Sequence, residues 1–299
     1  MIADKINIDL EIHSPLMKLK ACMELLKLRL SFLVVFSAGM GYILGNVGSI
    51  KTFHFIIFLI GGLLTTGASN IINQIIEKDL DKLMKRTSNR PLPTGRISVN
   101  EAMIFGFIIG IVGFALLFVV INPLTGILTL ISSILYGFVY TPLKRISSIA
   151  VLVGAIPGAL PPLIGWAAAT NGISIEGIML FGIQFIWQFP HFWAIAWVLD
   201  DDYKKAGFKL LPFAGGKTLN TAFQIMIYTL MLIPLGLIPA KLGLTGLNSA
   251  IITTVCGVIF LMQTFYLMKE CSNKAAKLIM FGSFFYLPIV QIAFVLDKL

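Results

Sequence analysis

The chain has 299 residues, of which 57% are hydrophobic and only 12% are charged, and its mean hydropathy is +0.91. Because roughly a quarter of the residues in soluble domains are charged, this composition excludes a soluble protein and predicts an all-α polytopic membrane protein. The formal net charge of +9 is compatible with binding to nucleic acid or anionic lipid. The positions of the basic residues show whether this charge indicates such a partner or the membrane topology.

In chain order, a polar N-terminal arm over residues 1–27 precedes a membrane domain over residues 28–299. A helix needs about twenty apolar residues to cross the hydrocarbon core. Nine segments meet this requirement, and we expect them to surround a central cavity: residues 28–47, 53–76, 102–121, 123–141, 149–169, 177–198, 222–240, 247–268 and 277–295. The third and fourth are joined by Asn122 and Pro123, which predict a tight turn.

The basic residues are distributed very unevenly between the two sides of these segments. Twenty of the 23 lysines and arginines fall in the arm or in the loops after the second, fourth, sixth and eighth segments. Under the positive-inside rule, this distribution places the N-terminus in the cytoplasm and the C-terminus outside. The basic charge is therefore mostly a topology signal, and it gives no support to nucleic-acid binding.

Two clusters of acidic residues lie at the cytoplasmic ends of the second and sixth segments. They contain six of the fourteen acidic residues of the chain: Glu77, Asp79 and Asp81 in NQIIEKDLD, and Asp200, Asp201 and Asp202 in WVLDDDY. Negative charges packed so closely beside hydrocarbon repel one another and are costly. A Mg²⁺ ion between the clusters would offset that repulsion, so the pattern predicts an enzyme rather than a membrane scaffold.

Helical spacing places part of the first cluster on an inward-facing stripe. Asn70, Asn73, Glu77 and Asp81 follow i, i+3, i+7, i+11 spacing and share one face, whereas Asp79 lies off that face unless the helix unwinds. A solvated helix end with ion pairs one turn apart would explain Glu77 and Asp81. It would not explain the deeper amides, which favour a polar cavity that holds a metal or a substrate.

Basic residues follow the carboxylates within ten positions. Arginine presents a planar donor fork that suits phosphate oxygens, and we assign Arg86 and Arg90 to a diphosphate. Lys82 and Lys85 are assigned to topology. Lys144, in the loop after the fourth segment, is either a diphosphate contact or a charge that sets the membrane topology.

The sixth segment carries a polar stripe among aromatic residues. Gln184, Gln188 and His191 follow i, i+4, i+7 spacing, and Asp202 lies close to the same face, about 16 Å beyond His191 on a continuous helix. An intramembrane histidine often bonds a neighbouring helix. Beside Trp187 and other aromatic residues, it is equally suited to orient a large flat ligand or to ligate its iron.

The glycine- and proline-rich GAIPGALPPLIGW predicts close helix packing.

At these residues the sequence resembles the UbiA-type intramembrane prenyltransferases, in particular the branch that farnesylates haem. The motifs that carry the resemblance are NQIIEKDLD, MKRTSNRPLPTG, YTPLKR, GAIPGALPPLIGW, WQFPHFW and DYKKAG. The resemblance implies transfer of a farnesyl group from farnesyl diphosphate to a vinyl group of haem B, with addition of water to give haem O. It also implies Mg²⁺ as cofactor, the inner membrane as location and an active site that faces the cytoplasm.

The resemblance extends to individual positions. It implies Mg²⁺–diphosphate and catalytic roles for Asn73, Asp79, Asp81 and Asp202, with Asp201 beside them, diphosphate contacts for Arg86 and Arg90, and a haem-site role for His191 with Gln188 and Trp187. Glu77 departs from the family pattern because it stands where aspartate is usual. Its carboxylate is displaced by about one methylene group, and we still expect it among the metal ligands.

Two other functions remain open from the sequence. A prenyltransferase for a quinone or chlorophyll precursor would share the acidic clusters, but it would not explain the motif WQFPHFW. A transporter of an anionic solute would more often place its charges near the bilayer midplane. The resemblance leaves room for contact with haem A synthase or with oxidase assembly factors.

Overall fold

The computed structural model describes residues 15–213 and 215–299. Within these ranges, nine helices are long and apolar enough to cross a membrane, which confirms the predicted all-α multi-pass architecture. The first fourteen residues of the predicted arm lie outside the described residues. The helices, in order, are α1 (Pro15–Leu25), α2 (Leu28–Gly45), α3 (Thr52–Asp81), α4 (Val99–Ala115), α5 (Pro123–Ile134), α6 (Thr141–Leu143), α7 (Ala150–Thr170), α8 (Ile175–Val198), α9 (Asp200–Lys205), α10 (Leu219–Gly236), α11 (Ile238–Lys241), α12 (Leu247–Glu270) and α13 (Asn273–Leu296).

Two of the membrane spans contain wider, π-helical turns. Residues Leu116–Ile121 continue α4, and residues Leu135–Tyr140 join α5 to α6. The predicted turn between α4 and α5 is present, because the side-chain oxygen of Asn122 accepts the backbone N–H of Thr125 at 2.8 Å. Its amide also donates to the carbonyl of Ala167 at 3.0 Å, so this turn is anchored to α7.

The helix α1 is one of the elements that the sequence did not predict. At eleven residues it is too short to span a membrane, and it lies within the predicted polar arm. Ala21 and Leu25 are fully buried and pack with Ile71 and Leu92, whereas Leu16 on another side is exposed. The helix therefore lies against α3 and the loop that follows it.

Helices α2 and α7 approach each other closely through glycine. A Cβ atom on Gly165 would lie 1.8 Å from the carbonyl oxygen of Ala38, and one on Gly41 would lie 2.1 Å from that of Pro162. Only glycine permits such backbone contact. The expected packing role of the glycine- and proline-rich segment is therefore confirmed, and α7, with three internal prolines, remains a helix.

The helices surround a cavity of about 460 Å³. Residues from α2, α3, α5, α7, α8, α9 and α13 line it, together with both π-helical segments. The same cavity receives the ends of α3 and α8, so the fold brings together the two segments that carry the acidic clusters.

Candidate active site

Nine of the twelve residues predicted for the site line this one cavity. They are Asn73, Glu77, Asp81, Arg86, Arg90, Lys144, Trp187, Gln188 and His191. The remaining three, Asp79, Asp201 and Asp202, do not line it. The cavity has a polar part near the ends of α3 and α8 and an aromatic part between α8 and α13.

The predicted stripe on α3 is present, and its carboxylates are buried. Asn73, Glu77 and Asp81 are 3%, 4% and 0% exposed. Asn73 donates to the hydroxyl of Thr141 at 3.2 Å and accepts from Lys27 Nζ at 3.1 Å. Because α3 is helical through Asp81, three oxygen-bearing side chains project from one face at intervals of one turn.

Each buried carboxylate meets one basic side chain. Arg90 donates to Asp81 Oδ2 at 2.7 Å, and Lys144 Nζ lies 2.5 Å from Glu77 Oε1, outside hydrogen-bonding geometry. Asp81 Oδ1 has no hydrogen-bond partner among the described residues although it is buried. Such an orphaned acceptor is costly, which indicates that a donor or a cation belongs beside it.

The carboxylate of Asp79 points away from the cavity. Its side chain is 71% exposed and pairs with Lys82 at 2.9 Å. The helix does not unwind before Asp81, so the spacing keeps Asp79 off the inward face. Its predicted role as a metal ligand stays a prediction that this geometry does not support.

The second acidic cluster belongs to a separate short helix. The helix α8 ends at Val198, and Asp202 lies on α9, so the expected common face with His191 is interrupted. Asp202 accepts the backbone N–H groups of Lys85 and Arg86 at 3.3 and 3.2 Å and pairs with Lys205 at 3.1 Å. The hydrogen bond from Lys205, with those from the backbone, holds the pKa of Asp202 below its usual value.

Asp202 therefore holds the loop that carries Arg86 rather than lining the cavity itself. The side chain of Asp201 is 82% exposed. Among residues 15–213 and 215–299, no three acidic, histidine or cysteine side chains converge as a metal site. The metal-ligand assignments of Asp201 and Asp202 stay predictions.

Two loops close over the polar part of the cavity. Met84, from the loop after α3, is buried against Ala206 and Phe208, from the loop after α9. The N–H of Lys209 donates to the carbonyl of Lys144 at 2.8 Å. Lys144 and the two loops are thus fixed to one another around the acidic face of α3.

The side chains in the polar part fit a Mg²⁺–diphosphate. Asn73, Glu77 and Asp81 supply the hard oxygen donors that Mg²⁺ prefers, and two of these oxygens, Glu77 Oε1 and Asp81 Oδ1, have no hydrogen-bond partner among the described residues. Arg90 and Lys144 supply donors for phosphate oxygens on the same side. This arrangement can neutralise a diphosphate that enters from the side of the two loops.

The aromatic part of the cavity is built around His191. Its ring stacks on Trp187 with centroids 4.4 Å apart and meets Phe284 and Phe192 edge-on at 5.2 and 5.6 Å. His191 Nδ1 lies 2.9 Å from the hydroxyl oxygen of Ser283 on α13. A flat apolar ligand would find aromatic surfaces here and one imidazole.

Gln188 is part of a buried polar network between helices. Its amide and that of Gln184 donate to the carbonyl of Gly158 at 2.9 and 2.8 Å. Gln184 also accepts from Ser37 at 2.6 Å and from Gln291 at 3.0 Å. Polar groups in a membrane interior need such partners, so this network joins α2, α7, α8 and α13.

Lys27 and Ser283 are site residues that the sequence analysis did not identify. Lys27 belongs to the basic residues that predict the topology, but its left-handed backbone (φ 47°) between α1 and α2 turns the side chain toward Asn73. Burial, followed by repulsion from Arg90 and Lys144, lowers the pKa of Lys27 to about 7. Ser283 carried no local signal, because only tertiary packing places it beside His191.

Comparison with known sequences gives consistent matches. Residues 34–287 match the UbiA prenyltransferase family. A relative from Cytophaga hutchinsonii, named protoheme IX farnesyltransferase, is 56% identical over 280 residues, which cover 94% of this chain and 98% of the relative. The motifs of the site lie within residues 34–287.

Solved structures share the fold at low sequence identity. A digeranylgeranylglyceryl phosphate synthase superposes with a TM-score of 0.78 at 21% identity, covering 94% of this chain and 98% of the other. A UbiA homolog from Archaeoglobus fulgidus bound to GPP and Mg²⁺ superposes with a TM-score of 0.68 at 17% identity, covering 92% and 99%. At these identities the similarity shows the fold alone.

Proposed function

The chain belongs to the UbiA prenyltransferase family, and we propose that it transfers a farnesyl group from farnesyl diphosphate to a vinyl group of haem B. Addition of water in the same reaction gives haem O and releases diphosphate. The chain is a membrane-integral prenyltransferase, and the proposal specifies its two substrates.

The observation that carries the proposal is the joining of two unlike sites in one cavity. The carboxylates Glu77 and Asp81 and the basic partners Arg90 and Lys144 provide a site for a diphosphate. The His191–Trp187 stack provides a site for a flat aromatic acceptor. The relative from Cytophaga hutchinsonii, at 56% identity, supports haem as that acceptor.

The basic residues stabilise the leaving group. Cleavage of the bond between farnesyl C1 and the diphosphate oxygen places extra negative charge on the diphosphate, and Arg86, Arg90 and Lys144 bind that charge. A Mg²⁺ ion held by Asn73, Glu77 and Asp81 would supply further Lewis-acid neutralisation of the diphosphate. The Archaeoglobus homolog with bound Mg²⁺ supports this cofactor.

The apolar walls protect the allylic cation that results. Tyr136, Tyr140 and Phe192 line the cavity with the His191–Trp187 pair, and they limit premature reaction with water. The haem vinyl group supplies the electron pair for the new carbon–carbon bond. Water then adds to the vinyl carbon next to the ring and loses a proton, which leaves the hydroxyl of the product.

The location of the reaction follows from charge. The loops after α3 and α9 lie on the side of the membrane domain that carries 20 of the 23 lysines and arginines, so we place them, and the polar part of the cavity, on the cytoplasmic side of the inner membrane. Residues 28–299 are the proposed catalytic membrane domain. Contact with haem A synthase or oxidase assembly factors stays a prediction.

A product assay tests the proposal. Membranes that contain the protein are incubated with haem B or, separately, with a quinone precursor, together with Mg²⁺ and prenyl diphosphates of ten, fifteen or twenty carbons, and the products are identified by mass. We expect farnesylated, hydrated haem, and no product after chelation of Mg²⁺. Prenylation of a quinone precursor but not of haem B would overturn the acceptor, and it would leave the His191–Trp187 pair without a function.

A further inference from the structure

The hydrogen bonds of Ser283 determine which nitrogen of His191 carries the proton. The hydroxyl of Ser283 lies 2.6 Å from the carbonyl oxygen of Met280, and a carbonyl has no proton to donate. The single hydroxyl proton therefore goes to Met280. Ser283 Oγ can then only accept from His191 Nδ1, 2.9 Å away, so the imidazole is protonated at Nδ1.

This tautomer leaves a lone pair on the other ring nitrogen. In the neutral imidazole, Nε2 becomes the acceptor atom, and no described residue forms a hydrogen bond with it. His191 lines the cavity. The lone pair of Nε2 is thus the group that a metal in the cavity can use.

The orientation of the ring is also fixed through Ser283. Trp187, which stacks on His191, donates its indole N–H to the backbone carbonyl of Ser283 at 3.1 Å. The Ser283 side chain is fully buried. One residue of α13 therefore holds both rings of the aromatic part, through its hydroxyl and its carbonyl.

We propose that Ser283 is a positioning residue that presents Nε2 of His191 as an axial ligand to the iron of the bound tetrapyrrole. The proposal rests on the proposed function, which makes haem the acceptor. Metal-binding histidines generally donate their other N–H to an oxygen that fixes the tautomer and raises the basicity of the ligand. Iron ligation would distinguish haem from a metal-free porphyrin of the same shape.

Binding spectroscopy without turnover tests this role. The protein in lipid nanodiscs is titrated with ferric haem B and, separately, with metal-free protoporphyrin IX. We expect Ser283→Ala to weaken haem B binding about 10- to 100-fold and to remove the absorption and EPR signature of an imidazole ligand. Metal-free protoporphyrin IX should bind both proteins equally. Ser283→Thr, which keeps the hydroxyl, should retain the signature.

Two further variants separate ligation from packing. His191→Ala should lose the signature and regain it with added imidazole. Ser249→Ala, at another fully buried serine that does not line the cavity, should leave both titrations unchanged.

The outcomes distinguish this proposal from the proposed function. An unchanged spectrum in Ser283→Ala, or equal loss of affinity for both porphyrins, overturns the positioning role even if the protein farnesylates haem. An imidazole signature that depends on Ser283, in a protein that forms no farnesylated haem, supports ligation and overturns the reaction.

Discussion

Asp81 and Glu77 are nearly inaccessible to solvent, and each meets one basic side chain, Arg90 or Lys144. Buried ion pairs add little net stability, because the loss of hydration offsets the attraction. Ligand binding therefore explains these ion pairs better than stability does. A diphosphate offers anionic oxygens to Arg90 and Lys144 and leaves the carboxylate oxygens available for a cation.

The variant Asp81→Asn tests whether the diphosphate site and the haem site of the cavity act separately. The substitution keeps the shape of the side chain but removes its charge, and we expect turnover to fall by about 10²–10³ while haem B binding stays unchanged. Product formation and a haem titration measure the two effects. Glu24→Gln, which affects only the partly exposed pair with Arg96, is the control. Loss of haem binding in a folded Asp81→Asn protein would contradict separate subsites.

Lys144 and Arg145 form a matched pair of adjacent basic residues. Lys144 is 8% exposed and contacts Glu77, whereas Arg145 is exposed and does not line the cavity. Removing one partner of a buried pair costs about 3–5 kcal/mol, so Lys144→Gln should lower both thermal stability and turnover. Arg145→Gln should change neither. Equal effects of the two variants would assign Lys144 to topology alone.

The sequence predicted these single residues where helical spacing was sufficient. It placed Asn73, Glu77 and Asp81 on one face and Asp79 off it, because α3 is regular through its last turn. It could not identify Lys27, whose side chain turns inward through a left-handed residue between two helices. It could not identify Ser283 either, because a serine in an apolar helix has no spacing relation to a histidine 92 positions away.

At the scale of helices, the boundary after α8 explains why the second acidic cluster does not line the cavity. Asp200, Asp201 and Asp202 occupy the first turn of α9, and Lys204 and Lys205 occupy its last turn. This order complements the helix dipole and favours a new helix over continuation of α8. The assumption of a continuous helix was wrong here, although most of the predicted spans end within three residues of the observed ones.

The contact between α2 and α7 gives a prediction at the same scale. A methyl group at Gly165 would meet backbone atoms of α2, which cannot yield as a flexible side chain does. We expect Gly165→Ala to destabilise the protein by about 1–3 kcal/mol, measured by thermal unfolding in detergent. Gly182→Ala on α8, where a Cβ has no neighbour within 4 Å, should be neutral or slightly stabilising. Comparable destabilisation of the two variants would contradict the close approach.

At the scale of the whole molecule, the sequence predicted the nine spans but not the composition of the cavity wall. Hydropathy locates each span by itself. The convergence of α2, α3, α5, α7, α8, α9 and α13 around one space depends on side-chain packing between distant segments. The His191–Ser283 contact and the Lys144–Glu77 contact are both results of that packing.

The orientation in the membrane is the remaining property of the whole molecule that charge predicts. Basic residues concentrate on the side of the loop after α3, so the loop between α2 and α3 should lie outside. In a background without Cys22, Cys256 and Cys271, Val47→Cys, at a side chain 95% exposed, should react with an impermeant maleimide in cells whose outer membrane alone is permeabilised. Asn89→Cys, in the loop after α3, should react only after the inner membrane is opened, and denatured samples give the full labelling for reference. The reverse labelling pattern would place the diphosphate site outside the cytoplasm, away from a cytoplasmic supply of farnesyl diphosphate.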